Sequence, residues 1–314
     1  MRNVFAAALL MMCEVVFAVE HPQLIVAVGA EGTPEYGEQF RLWAQRWESA
    51  AKQSQATALV IGTSEEEKSD RSRLKDALTD ATPGTSPLWL ILIGHGTFDG
   101  KTAKFNLRGD DFSVTELAQW LRPLQRPVAI VDCSSASGGF LSELSGPNRI
   151  VIAATKSGHE YNFAHFGGYL SAAIADPRCD LDKDEQTSLL EAFLFASAQV
   201  REFYAANARL VTEHALLDDN GDRLGTPADW FKGLKPTKAA KEGTALDGDL
   251  ARRFVLVPNA QEVNWTDETR ARRDELEKRL ADLRGRKKTL DEANYFRELE
   301  ILLVELSRLM QGGE

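Results

Sequence analysis

The chain has 314 residues and is 43% hydrophobic, with 37 Lys and Arg against 47 Asp and Glu for a formal net charge of −10. That length suits one large or two modest domains, and the apolar share is ordinary for a protein with a packed core. The acidic balance excludes a general nucleic-acid binder, because neutralising a phosphate backbone takes a basic face.

Arg2, an apolar run from Val4 to Phe17 and a cut after Ala18 form the pattern of a secretory signal. It predicts an exported protein, periplasmic or secreted, in which residues 1–18 are removed, 19–258 form the main domain and 259–314 a C-terminal appendage. No later stretch is long and apolar enough to span a bilayer. Of three cysteines, Cys13 leaves with the signal. Cys133 and Cys179 remain, and two thiols can pair in an oxidising compartment.

Residues 23–29 read as a first strand and 38–52 as a helix with Phe40, Leu42, Trp43 and Trp47 on one face. Residues 58–62 read as a second strand. Ser64 then caps a helix with Glu65, Glu66 and Glu67 in its first turn. Residues 89–93 read as a third strand ending in Gly94-His95-Gly96, and 104–107 as a short hairpin strand. Ser113 and Glu116 form a capping box for a helix to Leu121. Residues 128–132 and 149–154 read as strands four and five, 166–174 and 188–207 as helices, and 254–257 as a sixth strand. The alternation predicts an α/β fold with a mainly parallel six-stranded sheet between helical layers. Residues 266–283 and 289–310 keep leucines at three-and-four spacing and read as a helical hairpin, with Thr289 and Glu292 as a capping box and Gly285 in the turn. Such a hairpin packs on the main domain or serves as a dimerising or partner-binding arm.

The chain is organised around Val128-Ala129-Ile130-Val131-Asp132-Cys133-Ser134-Ser135-Ala136-Ser137-Gly138, where a buried strand runs into small nucleophilic side chains. Ligands collect at the carboxyl ends of parallel strands. Strand three delivers His95 to that same edge, and an imidazole is the usual base near neutral pH. Cys133 and Ser135 both qualify as nucleophile. They fall on one face of an extended strand, and a thiol ionises more readily beside an imidazole. No spacing makes a zinc site, a phosphate loop or a dinucleotide fingerprint.

Ile93-Gly94-His95-Gly96 after an apolar strand resembles the His-Gly of caspase-like and legumain-like cysteine peptidases (clan CD), and residues 131–138 resemble their nucleophile strand. Ala154-Thr155-Lys156-Ser157 with Glu160-Tyr161-Asn162 resembles the segment that shapes the legumain substrate pocket. The resemblance covers about residues 24–217 and marks the chain as similar to bacterial-type exported homologues with Ser in place of the catalytic Cys. It implies a caspase-like three-layer sandwich, hydrolysis of polypeptides by a His/Cys dyad without a required cofactor, Gly96 N–H as oxyanion donor, and Glu160 and Asn162 at the substrate. These families place Ser-Gly two residues after the nucleophile. Counting back from Ser137-Gly138 selects Ser135 and sets Cys133 deeper in the strand. Three readings stay open: Ser135 as nucleophile, Cys133 as nucleophile, or a silent site kept as a protein-binding module.

Asp180, Asp182, Asp184, Ser188 and Glu191 stand at positions one, three, five, nine and twelve of a calcium loop, with Glu185 where glycine is wanted. Asp218-Asp219-Asn220-Gly221-Asp222 repeats the spacing, with Arg223 in the glycine place and Asp229 at position twelve. Here a solvated acidic turn is the favoured reading.

Overall fold

A computed structural model describes residues 21–287 and 289–312; the signal segment lies outside them. Strand β1 (Gln23–Val28) leads into α1 (Pro34–Gln53), whose first turn holds Pro34, where a missing N–H costs nothing. There follow β2 (Thr57–Ile61), α2 (Asp70–Asp80), β3 (Leu88–Ile93), and the short strands β4 (Gly96–Phe98), β5 (Ala103–Phe105) and β6 (Phe112–Ser113). Then come α3 (Val114–Leu121), β7 (Val128–Asp132), α4 (Gly138–Leu144), β8 (Arg149–Ala153), α5 (Phe166–Ala173) and α6 (Leu189–Ala206). The rest comprises β9 (Leu216–Asp218), β10 (Thr226–Pro227), β11 (Phe231–Lys232), β12 (Lys235–Pro236), α7 (Asp249–Arg253), α8 (Asp267–Gly285) and α9 (Glu292–Met310).

The main sheet has the order β10-β9-β8-β7-β3-β1-β2. Its five strands β2, β1, β3, β7 and β8 are parallel, while β9 and β10 extend it antiparallel at one edge. Strand β3 shows why the sheet sits between two layers. Trp89, Ile91 and Ile93 face the cluster built with α1, α5 and α6, and Leu88, Leu90 and Leu92 face the one built with α2, α3 and α4. All six are fully buried, as a parallel strand covered on both faces must be. Each face carries a hydrophobic core, so the three-layer α/β architecture is the one the alternation of elements implies.

Four local expectations change. The main sheet has seven strands, not six. Residues 254–257 do not join it: Phe254 and Leu256 are buried, but only Val255 forms a bridge, to Ser188. The helix after β2 starts at Asp70, capped by the Ser69 hydroxyl accepting from Ser72 N–H, while residues 65–67 precede it. The final helix is capped by Asp291, which accepts from Asn294 N–H, rather than by Thr289, and Gly285 closes α8. The Ser113–Glu116 capping box is present, and its hydrogen bonds hold the Glu116 carboxyl down at about 2. Cys133 and Cys179 are both buried free thiols.

Helices α8 and α9 pack chiefly on each other through Leu276, Leu280, Leu283, Tyr295 and Leu302. The ties to the rest of the chain gather at the root. Arg273 Nη1 donates to Glu262 Oε1 at 2.8 Å and Oε2 at 2.6 Å, and Gln186 Nε2 donates to the same carboxylate at 3.4 Å. Asn259 Nδ2 donates to Asp184 O at 3.0 Å. The Arg273 and Glu262 side chains are only 8% and 3% exposed, so removing one partner leaves a buried charge unpaired. Arg273→Ala is expected to loosen the hairpin by about 3–5 kcal/mol. Hydrogen exchange would speed up in α8 and α9 while β3 and β7 keep their protection. The double change Arg273→Met with Glu262→Leu would recover most of the loss.

Candidate active site

The carboxyl ends of β1, β3 and β7 lie side by side, at the point where the strand order departs in two directions from β1 and β3. Open parallel sheets bind ligands at such a point. Three backbone bonds close the edge: Gly29 N–H to Ile93 O at 2.8 Å, Ala30 N–H to Asn106 O at 2.9 Å, and Asn106 N–H to His95 O at 3.0 Å. His95 follows β3 and opens the small β4–β5–β6 sheet.

The His95 ring stands in an aromatic enclosure. Tyr36, Phe40 and Phe163 present rings at 5.2, 5.3 and 6.2 Å, and Tyr36 stacks on Phe163 at 4.3 Å. Its Nε2 lies 3.3 Å from the Glu31 carbonyl oxygen. Helix α1 supplies Tyr36 and Phe40; of the face expected for this helix, Phe40, Trp43 and Trp47 are buried, while Leu42 points out at 45% exposure.

Ser135 sits against the residue that follows His95. Its hydroxyl accepts from Gly96 N–H at 3.2 Å and donates to Gly96 O at 3.4 Å. The approach requires glycine: a Cβ at residue 96 would overlap the Ser135 carbonyl oxygen and stand 3.0 Å from Ser134 Oγ. The Ser135 side is therefore in place beside the expected oxyanion donor, Gly96, though that N–H is taken by the hydroxyl itself. Ser135 is 3% exposed.

Cys133 goes elsewhere. Strand β7 ends at Asp132, so strand alternation does not carry on to residue 135. The Cys133 side chain packs in the cluster of α1 and α5, so close to Gly167 that a Cβ there would meet Sγ at 2.9 Å. Burial, then the neighbouring charges of Asp132 and Glu213, push its thiol well above the ordinary value. Ionisation of a thiol so placed is disfavoured. The expectation that Cys133 and Ser135 share a face is thus corrected.

The remaining hydroxyls brace the turn. Ser134 N–H and Oγ–H both donate to Asp132 Oδ1, at 2.9 and 2.6 Å, while Asp132 Oδ2 is buried with no partner. Desolvation raises the Asp132 carboxyl to about 6. Thr155 Oγ1 accepts from Gly138 N–H at 2.9 Å, and Thr155 N–H donates to Ser137 Oγ at 3.1 Å. The role of Asp132 was not read from the sequence, although an acid two residues before Ser134 was the available signal. Glu160 is committed to protein partners. It receives Lys156 N–H at 2.9 Å, His214 N–H at 3.2 Å and the His214 ring at 2.6 Å. Asn162 is exposed near the same loop.

Two clefts flank the edge. One of 380 Å³ lies at the ends of β1 and β2 and is lined by Glu31, Gly32, Phe40, Arg41, Thr63 and Arg108. Another of 180 Å³ lies between α6 and the lead into β9, with Glu213 and His214 in its wall. Neither is lined by His95 or Ser135. Glu213 accepts from the first amides of α5, His165 N–H at 2.9 Å and Phe166 N–H at 3.0 Å, and burial lifts its carboxyl to about 7.

The acidic loops share one backbone form. Asp180 accepts from Lys183 N–H at 2.6 Å and Glu185 N–H at 3.1 Å, and Lys183 and Glu185 take φ of +64° and +68°. Asp218 accepts from Gly221 N–H and Arg223 N–H, both at 3.0 Å, with φ of +78° and +70°. Glu185 and Arg223 thus adopt the left-handed turn that glycine was expected to supply. Asp180, Asp182 and Asp184 bring carboxylate oxygens within 4.8 Å of one another. Ser188 and Glu191 close a capping box on α6, and Glu191 Oε1 reaches back to Leu181 N–H at 2.6 Å. Arg252 reaches Asp182 Oδ2 at 2.8 Å. Desolvation raises Asp184 to about 6.

No family model matches the chain, and no curated protein matches it. Among solved structures, it is similar to the Drosophila initiator caspase Dronc over 65% of this chain and 81% of that one, at TM-score 0.44 and 13% identity. It is also similar to Raptor of Chaetomium thermophilum over 59% of this chain and 19% of that one, at TM-score 0.35 and 12% identity.

Proposed function

We propose that the chain is an exported peptidase homologue of the caspase-like kind, in which Ser135 is the nucleophile and His95 the base. One observation carries this reading: the Ser135 hydroxyl lies 3.2 Å from Gly96 N–H, on the residue next to His95. In this reading Ser135 Oγ attacks a peptide carbonyl carbon, and its proton passes to the imidazole. The Gly96 N–H turns from the hydroxyl to the developing oxyanion beside it. The imidazolium gives the proton to the departing amine, and water, deprotonated by the same ring, releases the acyl group. The ring first has to leave the Glu31 carbonyl, where it now rests.

A second reading has its own support. Ser135 is buried with both hydrogen-bonding directions taken by Gly96, and the imidazole is bonded elsewhere. A silent site that binds polypeptide without cutting it accounts for both facts. The two separate on a peptidyl phosphonate, which esterifies an activated hydroxyl. The peptidase reading expects labelling that falls by about 100-fold or more in both His95→Ala and Ser135→Ala, with Cys133→Ala unaffected. Absence of labelling across varied peptides, with and without calcium, leaves the binding module.

Calcium is the second part of the proposal, held by Asp180, Asp182 and Asp184. The support is three convergent carboxylates on a loop whose glycine-type turn is formed without glycine. Exported modules bind calcium with dissociation constants of about 0.1–1 mM. At a hundredfold excess over that constant, calcium would add about 2.7 kcal/mol, a rise in melting temperature of roughly 5–10 °C. Asp180→Asn and Asp184→Asn should abolish the rise, and a melting curve indifferent to calcium would sink this part.

The raised carboxyls give a pH dependence with a definite sign. Asp184 and Glu213 sit at about 6 and about 7 in the folded chain, against 3.8 and 4.5 for the free groups. Burial also moves Asp218, Asp219 and Asp247 upward. The folded state therefore holds more protons than the unfolded one between those values. Its stability is greatest below about pH 4 for these groups and declines as pH rises through 6 to 7. Urea midpoints in chelator should fall from pH 5 to pH 8, less steeply in Glu213→Gln. Calcium should restore the midpoint mainly at the higher pH, because it binds the ionised carboxylates.

A further inference from the structure

We infer that His214, acting through Glu160, is a positioning residue for the nucleophile turn; the inference rests on reading Ser135 as the nucleophile. Ala136, directly after Ser135, holds φ at +57°, a left-handed conformation that costs a residue with a Cβ and persists only where its surroundings fix it. What fixes it is a hydrogen bond of 2.8 Å from Ala136 N–H to the main-chain oxygen of Glu160. Of the neighbours of Ala136, Ser134 is held by Asp132 at the end of β7, and Ser137 with Gly138 by Thr155, the second residue past β8. Ala136 depends on Glu160, seven residues past the end of β8.

Glu160 lies in a loop, residues 154–165, which has no helix or strand of its own. Two of its ties stay within the loop: Lys156 N–H to Oε2 at 2.9 Å, and Glu160 N–H to Ser157 O at 3.3 Å. The Lys156 ammonium, 3.7 Å away and more than half exposed, adds little in water. The tie to another element is His214, which donates its backbone N–H to Oε2 at 3.2 Å and places Nδ1 2.6 Å from Oε1. The Glu160 side chain is 12% exposed and that of His214 42%, so the carboxylate is largely shielded while the ring stays open to water on one side. The next residue back, Glu213, is buried and clamped on the first amides of α5. His214 therefore stands on a fixed base, and the chain of contacts runs from α5 through Glu213, His214 and Glu160 to the peptide that follows Ser135. Glu160, expected at the substrate, acts one step behind it.

The test combines amide hydrogen exchange and phosphonate labelling on the purified protein. His214→Ala and Glu160→Ala should each speed exchange of the Ala136 amide by about tenfold, with β3 and β7 unchanged. Glu160→Gln keeps the acceptor oxygen and should stay near the unmodified protein. The double variant Glu160→Ala/His214→Ala should match Glu160→Ala, because His214 acts only through Glu160. Labelling of Ser135 should slow in parallel and recover in Glu160→Gln. Unchanged Ala136 exchange in His214→Ala, or additive effects in the double variant, overturns the inference. If exchange responds as stated but the unmodified protein never takes the label, the peptidase reading fails and the link from His214 to the turn stands.

Discussion

The candidate site depends on one close approach, that of residue 96 to the turn after β7. The backbone of Gly96 lies so near the Ser135 carbonyl oxygen and Ser134 Oγ that no side chain fits between them. Glycine allows this contact without steric cost. From it follow the Ser135 hydrogen bonds to both Gly96 backbone groups, and the direction in which His95, one residue earlier, enters the aromatic enclosure. The strand pairing sets the approach up. β3 and β7 run parallel in register from Leu88 with Val128 to Leu92 with Asp132, so their continuations emerge together.

Cys133 and Ser135 are both buried, at 1% and 3% exposure, and what separates them is their neighbours. A thiol is the stronger nucleophile as thiolate, but ionising it needs water, a cation or a base within reach. Cys133 faces Trp43 and Gly167 in the apolar layer, and its acidic neighbours oppose ionisation further. Ser135 instead meets both backbone groups of Gly96. Ser137 and Gly138 must meet Thr155, and Ala136 must meet Glu160, so the residue presented to Gly96 is fixed at 135.

Much of this was legible in the residues. The five parallel strands are continuous apolar runs, and the capping boxes at Ser113 and Ser188 announce α3 and α6 with their own side chains. The illegible parts were those in which a local signal had a tertiary competitor. Phe254 and Leu256 alternate like a strand, and they are buried as a strand's residues would be, but α6 and Trp89 cover them without a ladder partner beyond Ser188. Ser64 with three glutamates looks like a helix start, yet no apolar residue follows at helical spacing until Leu74, and Ser69 does the capping. β9 has three residues and β10 two, too short to register as periodicity, and they exist because the β8 edge offers unpaired backbone groups. The turning of Cys133 away from Ser135 was illegible because alternation holds only while the strand lasts, and it stops at Asp132.

Part of the acidic complement lies inside the fold. Asp180, Asp218, Asp219, Asp247 and Glu213 are buried or nearly so, and each accepts from two backbone amides: Lys183 and Glu185, Gly221 and Arg223, Gly248 and Ala251, Asp219 and Asn220, His165 and Phe166. A carboxylate can satisfy two N–H donors in a turn where no carbonyl is in reach, which is why irregular segments can pack here at all. The cost is desolvation, visible in the upward shift of Asp218, Asp219, Asp247 and Glu213. Asp180, Asp182 and Asp184 differ from the rest in converging on one point as well as bracing a loop. Gln186 and Asp184 O from this loop also meet Asn259 and Glu262, and Glu262 holds Arg273 at the foot of the hairpin. The loop and the root of α8 are thus joined by a continuous run of hydrogen bonds. Because buried polar networks are stable only when every member is satisfied, the loop and the hairpin root hold their shape together.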